Sequence, residues 1–314
     1  MNIFVIGAAG MLGNALHDYA IINSIKITEY DINVNADYIN YLDIRDFKKL
    51  QEAVQRDRPS IIFNLAAITD LENSEENPSE CYATNYYGAE NIAIISNQFR
   101  IPIVYISTAG IFDGGQDFFN CYDKPRPLNV YGDAKYLGEL STIKHNSNSY
   151  VFRAGWMMGG GLGKNGKDKK FINKIYNKFL NGELNIGVVV DKFGTPTYTV
   201  DFIENIFRVI SIQRFGTYNQ TNSGSASRYE VAIFLANCLG LNHKINIIPI
   251  TSEEIREEYF ANRPKSEQLV NFNLIQLGIE MPDWRDALTR YLSSQGIMDC
   301  RQFRSMTKID DSSP

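Results

Sequence analysis

The sequence predicts an α/β fold built on a doubly wound parallel sheet, followed by a smaller mixed α/β region. Three observations predict it. Short apolar runs alternate with helix-length segments through the first half of the chain. The first run, Asn2-Ile3-Phe4-Val5-Ile6, leads straight into a glycine turn, Gly7-Ala8-Ala9-Gly10-Met11-Leu12-Gly13. Finally, Gly7, Asp31, Ala66, Ser107-Thr108 and Arg153 all fall at or near the C-terminal ends of the expected strands, where such sheets bind ligands.

In order along the chain, the opening run reads as a buried strand, with a helix from the glycine turn to roughly Tyr19. Glycines in such a turn let a diphosphate approach the backbone, where helix N-terminal amides can bind it. The spacing here is Gly-x-x-Gly-x-x-Gly, which makes Gly7, Gly10, Met11, Leu12 and Gly13 candidate cofactor contacts. A second strand runs from Ile25 to Tyr30 and ends at Asp31. A carboxylate at that place can accept hydrogen bonds from an adenosine ribose and repels a 2′-phosphate, which favours NADH over NADPH.

Tyr38 to Leu42 reads as a third strand with Asp43-Ile44 at its end, and Asp46 to Arg56 as a helix. Pro59 introduces Ser60-Ile61-Ile62-Phe63-Asn64-Leu65-Ala66-Ala67, a continuous apolar run of the kind found inside parallel sheets. A helix from Pro78 to Arg100 follows, then the strand Ile103 to Ile106 ending in Ser107-Thr108, a helix carrying Tyr131, and the strand Tyr150 to Arg153. Beyond Gly155 helices are expected near 170–180, 200–212, 228–239 and 284–293, among short strands. The glycine-rich, basic stretch from Gly159 to Lys167 reads as a loop, with a phosphate-binding lid as the sharper alternative.

Composition bounds the partners. A hydrophobic fraction of 44% and a charged fraction of 21% are those of an ordinary globular protein, and a net charge of -5 argues against nucleic acid or an anionic membrane. No apolar run is long enough to span a bilayer, and the start does not read as a signal peptide. Cys81, Cys121, Cys238 and Cys300 form no Cys-x-x-Cys pair, and His17, His145 and His243 show no ligand spacing. The expectations are a cytoplasmic chain with reduced thiols and no metal site.

The most informative stretch is Val130-Tyr131-Gly132-Asp133-Ala134-Lys135. A tyrosine and a lysine four residues apart share one face of a helix. A free phenol titrates near ~10, and an ammonium beside it favours the phenolate. Such a pair can protonate a carbonyl oxygen while a hydride reaches its carbon.

Together, the glycine turn, Asp43-Ile44, Asn64-Leu65-Ala66-Ala67, Ser107-Thr108 and the Tyr131/Lys135 pair resemble the extended short-chain dehydrogenase/reductases. Within that group the chain is most similar to the dTDP-4-dehydrorhamnose reductases. The segments carrying the likeness are 128–139, Arg153-Ala154-Gly155-Trp156, Asp191 to Tyr198, Arg263-Pro264 and Pro282-Asp283-Trp284-Arg285. One departure matters. The family usually continues Ser-Thr with Asp-Tyr-Val-Phe-Asp-Gly, and here the chain reads Ala109-Gly110-Ile111-Phe112-Asp113-Gly114. The family's tyrosine lines the sugar pocket, and Gly110 cannot replace it.

The resemblance implies a Rossmann dinucleotide-binding domain over 1–155, with 191–213 packing back on it. It implies a substrate-binding region over 156–190 and 214–298, with 299–314 as a flexible tail. Tyr131 would be the general acid; Lys135 would hold the nicotinamide ribose and lower the tyrosine pKa; Thr108 would hydrogen-bond the reacting oxygen. The cofactor, NADH or NADPH, would be held by Gly7, Gly10, Met11, Leu12, Gly13, Asp31, Asp43, Ile44, Leu65, Ala66, Ala67, Tyr131 and Lys135. Thr69, Trp156, Thr195 and Arg263 would face the substrate.

The implied function is an NAD(P)H-dependent reductase of a nucleotide-linked 4-keto-6-deoxy sugar in surface polysaccharide synthesis, with a homodimer as one assembly open to it. A sugar-nucleotide epimerase or dehydratase would use the same Tyr/Lys pair but keep its cofactor. The non-catalytic β subunit of methionine adenosyltransferase also resembles this family, and the intact Thr108/Tyr131/Lys135 set argues for catalysis.

Overall fold

The computed structural model describes residues 1–160 and 171–297. Its centre is a seven-stranded sheet. We number its strands β1 (Asn2–Ile6), β2 (Lys26–Asp31), β3 (Ile39–Tyr41), β4 (Ile61–Asn64), β5 (Ile103–Thr108), β6 (Ser149–Ala154) and β7 (Gly216–Gln220). They lie in the order β7-β6-β5-β4-β1-β2-β3, and every pairing is parallel.

Parallel strands covered on both faces must be apolar at every position, and β1 shows it. Ile3 and Val5 pack on one face with Leu16, Phe63, Val104 and Phe152, under the helices Met11–Ile22 and Thr199–Ile212. Phe4 and Ile6 pack on the other with Leu50, Ile62, Ile92, Ile95 and Ile103. The strand order reverses between β1 and β4, so the crevice beyond their C-terminal ends is where a doubly wound sheet takes a ligand.

A second core lies outside this sheet. Trp284, Leu288 and Tyr291 of the helix Trp284–Ser294 pack with Leu235, Ile175 and Ile186, next to the two-stranded pairing of Asn185–Val189 with Asn246–Ile250.

Several elements differ from the sequence reading. The expected helix from Pro78 to Arg100 is Pro78–Tyr82, a π-helical turn Ala83–Gly88 and Ala89–Gln98. The short helices Leu71–Glu76 and Phe272–Gln276 were not expected. β7 falls within the range assigned to the substrate-binding region, yet it is the edge strand of the central sheet, and Tyr218 packs on Phe152 with ring centroids 5.4 Å apart. Polar residues along Thr217-Tyr218-Asn219-Gln220 hide this strand: Asn219 and Gln220 are buried with their amides donating to the Phe119, Val270 and Phe202 carbonyls, in place of apolar side chains. The helix Thr199–Ile212, from the segment expected to pack back on the first domain, contributes Phe202, Ile203, Ile206 and Val209 to the central core. The stretch 161–167 and the tail from 298, including Cys300, lie outside the described residues.

Candidate active site

The glycine turn is shaped by close contact. Gly7 has φ +90°, and a Cβ there would stand 2.5 Å from the backbone of Leu65 and Ala66. At Gly13 a Cβ would stand 2.3 Å from the Ala8 carbonyl. Only glycine permits both approaches, so β1, the turn and the end of β4 close on one another. The helix Met11–Ile22 starts from Gly10 with no side-chain cap and no acidic residue in its first turn. Its first amides therefore have no intrahelical acceptor and face the crevice with the positive end of the helix dipole. Asn64 and Ser107, at the ends of β4 and β5, carry buried side-chain atoms that meet no hydrogen-bond partner among the described residues. A glycine cradle, uncapped amides and unpaired polar atoms at adjacent strand ends fit a dinucleotide.

The helix Val130–His145 is set by its own sequence. Asn129 caps it, its Oδ1 accepting the Gly132 N–H at 2.7 Å, while its Nδ2 donates to the Asn262 carbonyl at 2.7 Å. Gly132 and Gly138 let the helix lie close to Gly110 and Tyr105: a Cβ would stand 2.4 Å from the Gly110 carbonyl and 2.5 Å from the Tyr105 hydroxyl respectively. Glu139, further along, forms a buried ion pair with Arg153 of β6 at 2.6 Å.

This packing sets the helix that carries Tyr131 and Lys135 against β5, which ends in Thr108. The Thr108 hydroxyl acts on the Tyr131 phenol, and Thr108 Oγ1 accepts the Gly110 N–H at 3.1 Å. Lys135 is 4% exposed, with Nζ 4.2 Å from the centroid of the Tyr105 ring. Burial pushes the Tyr131 phenol up to about 12, with Thr108 opposing and the Glu267 charge adding to the rise. Burial likewise pushes the Lys135 ammonium down to about 7. The expected lowering by Lys135 does not appear among the influences on the phenol, whose pKa burial raises, so the phenol holds its proton at neutral pH.

A model of the RmlD substrate binding domain matches residues 1–296. The chain belongs to this family. The spore coat polysaccharide biosynthesis protein SpsK of Bacillus subtilis is 29% identical over 295 residues, covering 94% of this chain and 98% of that one. A dTDP-4-dehydrorhamnose reductase of Mycolicibacterium smegmatis is 28% identical, covering 91% and 84% respectively. The structure of a dTDP-4-dehydrorhamnose reductase from Bacillus anthracis in complex with NADP superposes with a TM-score of 0.82 at 29% identity, over 93% of this chain and 99% of that one.

The remaining residues singled out in this RmlD-family chain divide into those near the crevice and those occupied elsewhere. Leu65, Ala66 and Ala67 follow β4 directly, and the first two border Gly7. Asp31 ends β2, where its Oδ2 accepts the Ala9 N–H at 3.0 Å and its Oδ1 the Asn33 N–H at 2.8 Å. Asp43 is paired with Arg45 at 2.6 Å. Ile44 is a core residue, its side chain under Gly88 and its carbonyl accepting from Asn91. Thr69 is exposed, between β4 and the helix Leu71–Glu76.

Thr195, expected to face the substrate, is instead buried, and its hydroxyl donates to the Gly224 carbonyl at 2.8 Å. Arg263 makes a two-pronged pair with Glu72, at 2.7 and 2.8 Å, which joins the C-terminal segment to the helix Leu71–Glu76 after β4. Its guanidinium is engaged by a carboxylate and also lies over the Tyr259 ring.

Trp156 adjoins two residues that the sequence reading missed. Its Nε1 donates to Glu267 Oε2 at 2.7 Å, and the Arg228 guanidinium stacks on its ring at 3.5 Å from the centroid. Gly194 makes room for the indole, since a Cβ there would stand 2.3 Å from it. The signal for Glu267 was its place just after Arg263-Pro264; no motif marks Arg228.

Proposed function

We propose that this chain is an NAD(P)H-dependent reductase of a nucleotide-diphospho-4-keto-6-deoxy sugar, supplying precursors for surface polysaccharide. The observation that carries the reading is the helix bearing Tyr131 and Lys135 packed on the β5 strand that ends in Thr108, in a sheet whose glycine cradle fits a dinucleotide. The family supports it, as do the relatives named for dTDP-4-dehydrorhamnose reduction and for spore coat polysaccharide synthesis.

A bound dihydronicotinamide supplies the hydride. This chain's residues supply the rest. Tyr131 holds a proton on its phenol oxygen at neutral pH and delivers it to the developing alkoxide of the sugar. Thr108, fixed through the Gly110 amide, hydrogen-bonds the same oxygen and orients it. Lys135 reaches the crevice from a buried seat against Tyr105 and holds the nicotinamide ribose. The Met11, Leu12 and Gly13 amides take the diphosphate. Asp31 takes the adenosine ribose, which makes NADH at least as good a cofactor as NADPH.

No helix among the described residues is long and apolar enough to cross a membrane; on this reading the enzyme works in the cytoplasm, with a homodimer as one assembly open to it. The test is incubation with NADH or NADPH and a panel of 4-keto sugar nucleotides.

A further inference from the structure

Gly110 stands where the sequence departs from its family, and nothing in the backbone requires glycine there. Its φ is not in the left-handed region, and a Cβ would meet its nearest neighbours at ordinary contact distances. Those neighbours are informative: Thr108 Oγ1 at 3.5 Å and Glu267 Oε1 at 3.6 Å. The room left by the missing side chain thus lies between the hydroxyl that orients the reacting oxygen and a carboxylate.

The carboxylate is held in place. The Glu267 backbone N–H donates to the Phe193 carbonyl at 2.8 Å, and Oε2 accepts the Trp156 indole N–H at 2.7 Å. Oε1 has no hydrogen-bond donor among the described residues and is turned toward Gly110. Arg228, stacked on the same indole and attracted by the Glu267 charge, offsets that charge without bonding to it. A carboxylate is an acceptor only, so what belongs opposite Oε1 is a donor.

We infer that Glu267 is a specificity-determining residue, which accepts a hydrogen bond from a sugar hydroxyl on the carbon next to the reacting carbonyl, in the space beside Gly110. The inference rests on the reductase reading above and names the substrate more finely. Thr108 and Tyr131 fix the carbonyl oxygen, so the space between Thr108 and Glu267 receives what is attached one carbon away. Of the two neighbouring ring carbons of a 4-keto-6-deoxy sugar, one carries a methyl group and the other, C3, a hydroxyl. A methyl against Oε1 would strip water from a carboxylate and return nothing. The C3 hydroxyl fits, and a substrate without it leaves the carboxylate unpaired.

The experiment compares a dTDP-linked 4-keto-6-deoxyhexose with its 3-deoxy counterpart on the wild type, Glu267→Ala, Glu267→Gln and Gly110→Ala. It reads kcat and KM with NADPH, and calorimetric binding in the presence of NADP⁺. A hydrogen bond to a charged acceptor is worth about tenfold or more in discrimination. The wild type should favour the 3-hydroxy ligand by at least about that factor. Glu267→Ala should erase the preference, and Glu267→Gln, which keeps an acceptor, should restore part of it. Gly110→Ala should raise KM for the 3-hydroxy ligand with little change in kcat. An unchanged preference in Glu267→Ala, in turnover or in binding, overturns the inference. A wild type that binds both ligands and oxidises no NADPH refutes the reductase reading instead, and the binding preference still decides the role of Glu267.

Discussion

Arg153 and Glu139 form a buried ion pair that ties the Tyr131 helix to β6, with Nη2 2.6 Å from Oε1 and a second bond at 3.2 Å. Arg153 also donates to the Cys121 carbonyl at 3.1 Å, and its guanidinium lies over the Phe112 ring. The pair is one turn beyond Lys135 on the same helix, so it sets where Tyr131 and Lys135 stand.

Removing one partner leaves a charge buried and unmatched, at a cost of about 3–5 kcal/mol. Arg153→Ala should lower stability by about that amount in denaturant unfolding. The double change Arg153→Met, Glu139→Leu should be much milder, because no charge is stranded. Equal losses in both variants would show that packing rather than charge fixes the helix.

Lys135 should leave a pH signature on stability. A lysine in the unfolded chain titrates near ~10.4, whereas burial holds the folded ammonium at about 7. Between those values the unfolded chain keeps a proton that the folded chain has released. Stability from this residue therefore rises with pH across that window, and its cost is greatest below it. Lys135→Met should raise the Tm most below pH ~7, with the gain shrinking toward pH ~10. A gain independent of pH would show that the Lys135 side chain is not desolvated.

The sheet was legible because β1, β4 and β5 are buried on both faces, which leaves apolar runs that no other element imitates. The Tyr131/Lys135 pair was legible through its spacing and its place after the Ser107-Thr108 strand end. β7 was not, because Asn219 and Gln220 are buried through side-chain hydrogen bonds rather than apolar packing. Thr195 and Ile44 were read as contacts because both lie in motifs, and a motif does not say which way a side chain turns. Thr195 spends its hydroxyl on Gly224, and Ile44 fills the gap under Gly88. The pairing of Arg263 with Glu72 spans most of the chain, and no local pattern announces it. The rise in the Tyr131 pKa depends on how deeply the site is enclosed, which spacing along a helix cannot reveal.

Asp31 offers a test of cofactor choice. Its carboxylate is anchored on the Ala9 and Asn33 amides at the end of β2, and it would meet a 2′-phosphate as a like charge. NADH should bind at least as well as NADPH, and Asp31→Ser should shift the preference toward NADPH in fluorescence titration. A strong NADPH preference in the unmodified protein would place Asp31 away from the ribose.

Tyr131→Phe should leave binding of the dihydronicotinamide nearly intact and reduce kcat by roughly 10²–10⁴-fold, the usual worth of general acid catalysis. Thr108→Val should weaken turnover in the same direction, since it removes the hydroxyl that acts on the phenol and is proposed to orient the reacting oxygen. Full turnover by Tyr131→Phe would remove Tyr131 as the proton donor.

The central claim is net reduction, in which one dihydronicotinamide is used for each product. An epimerase or dehydratase returns the hydride to the sugar and gains by retaining its cofactor. The direct measurement follows the absorbance of added NADH or NADPH while the product from a 4-keto sugar nucleotide is counted by chromatography. This account predicts one cofactor oxidised per product, by a protein that purifies largely free of cofactor. Product formed without net cofactor consumption would contradict it.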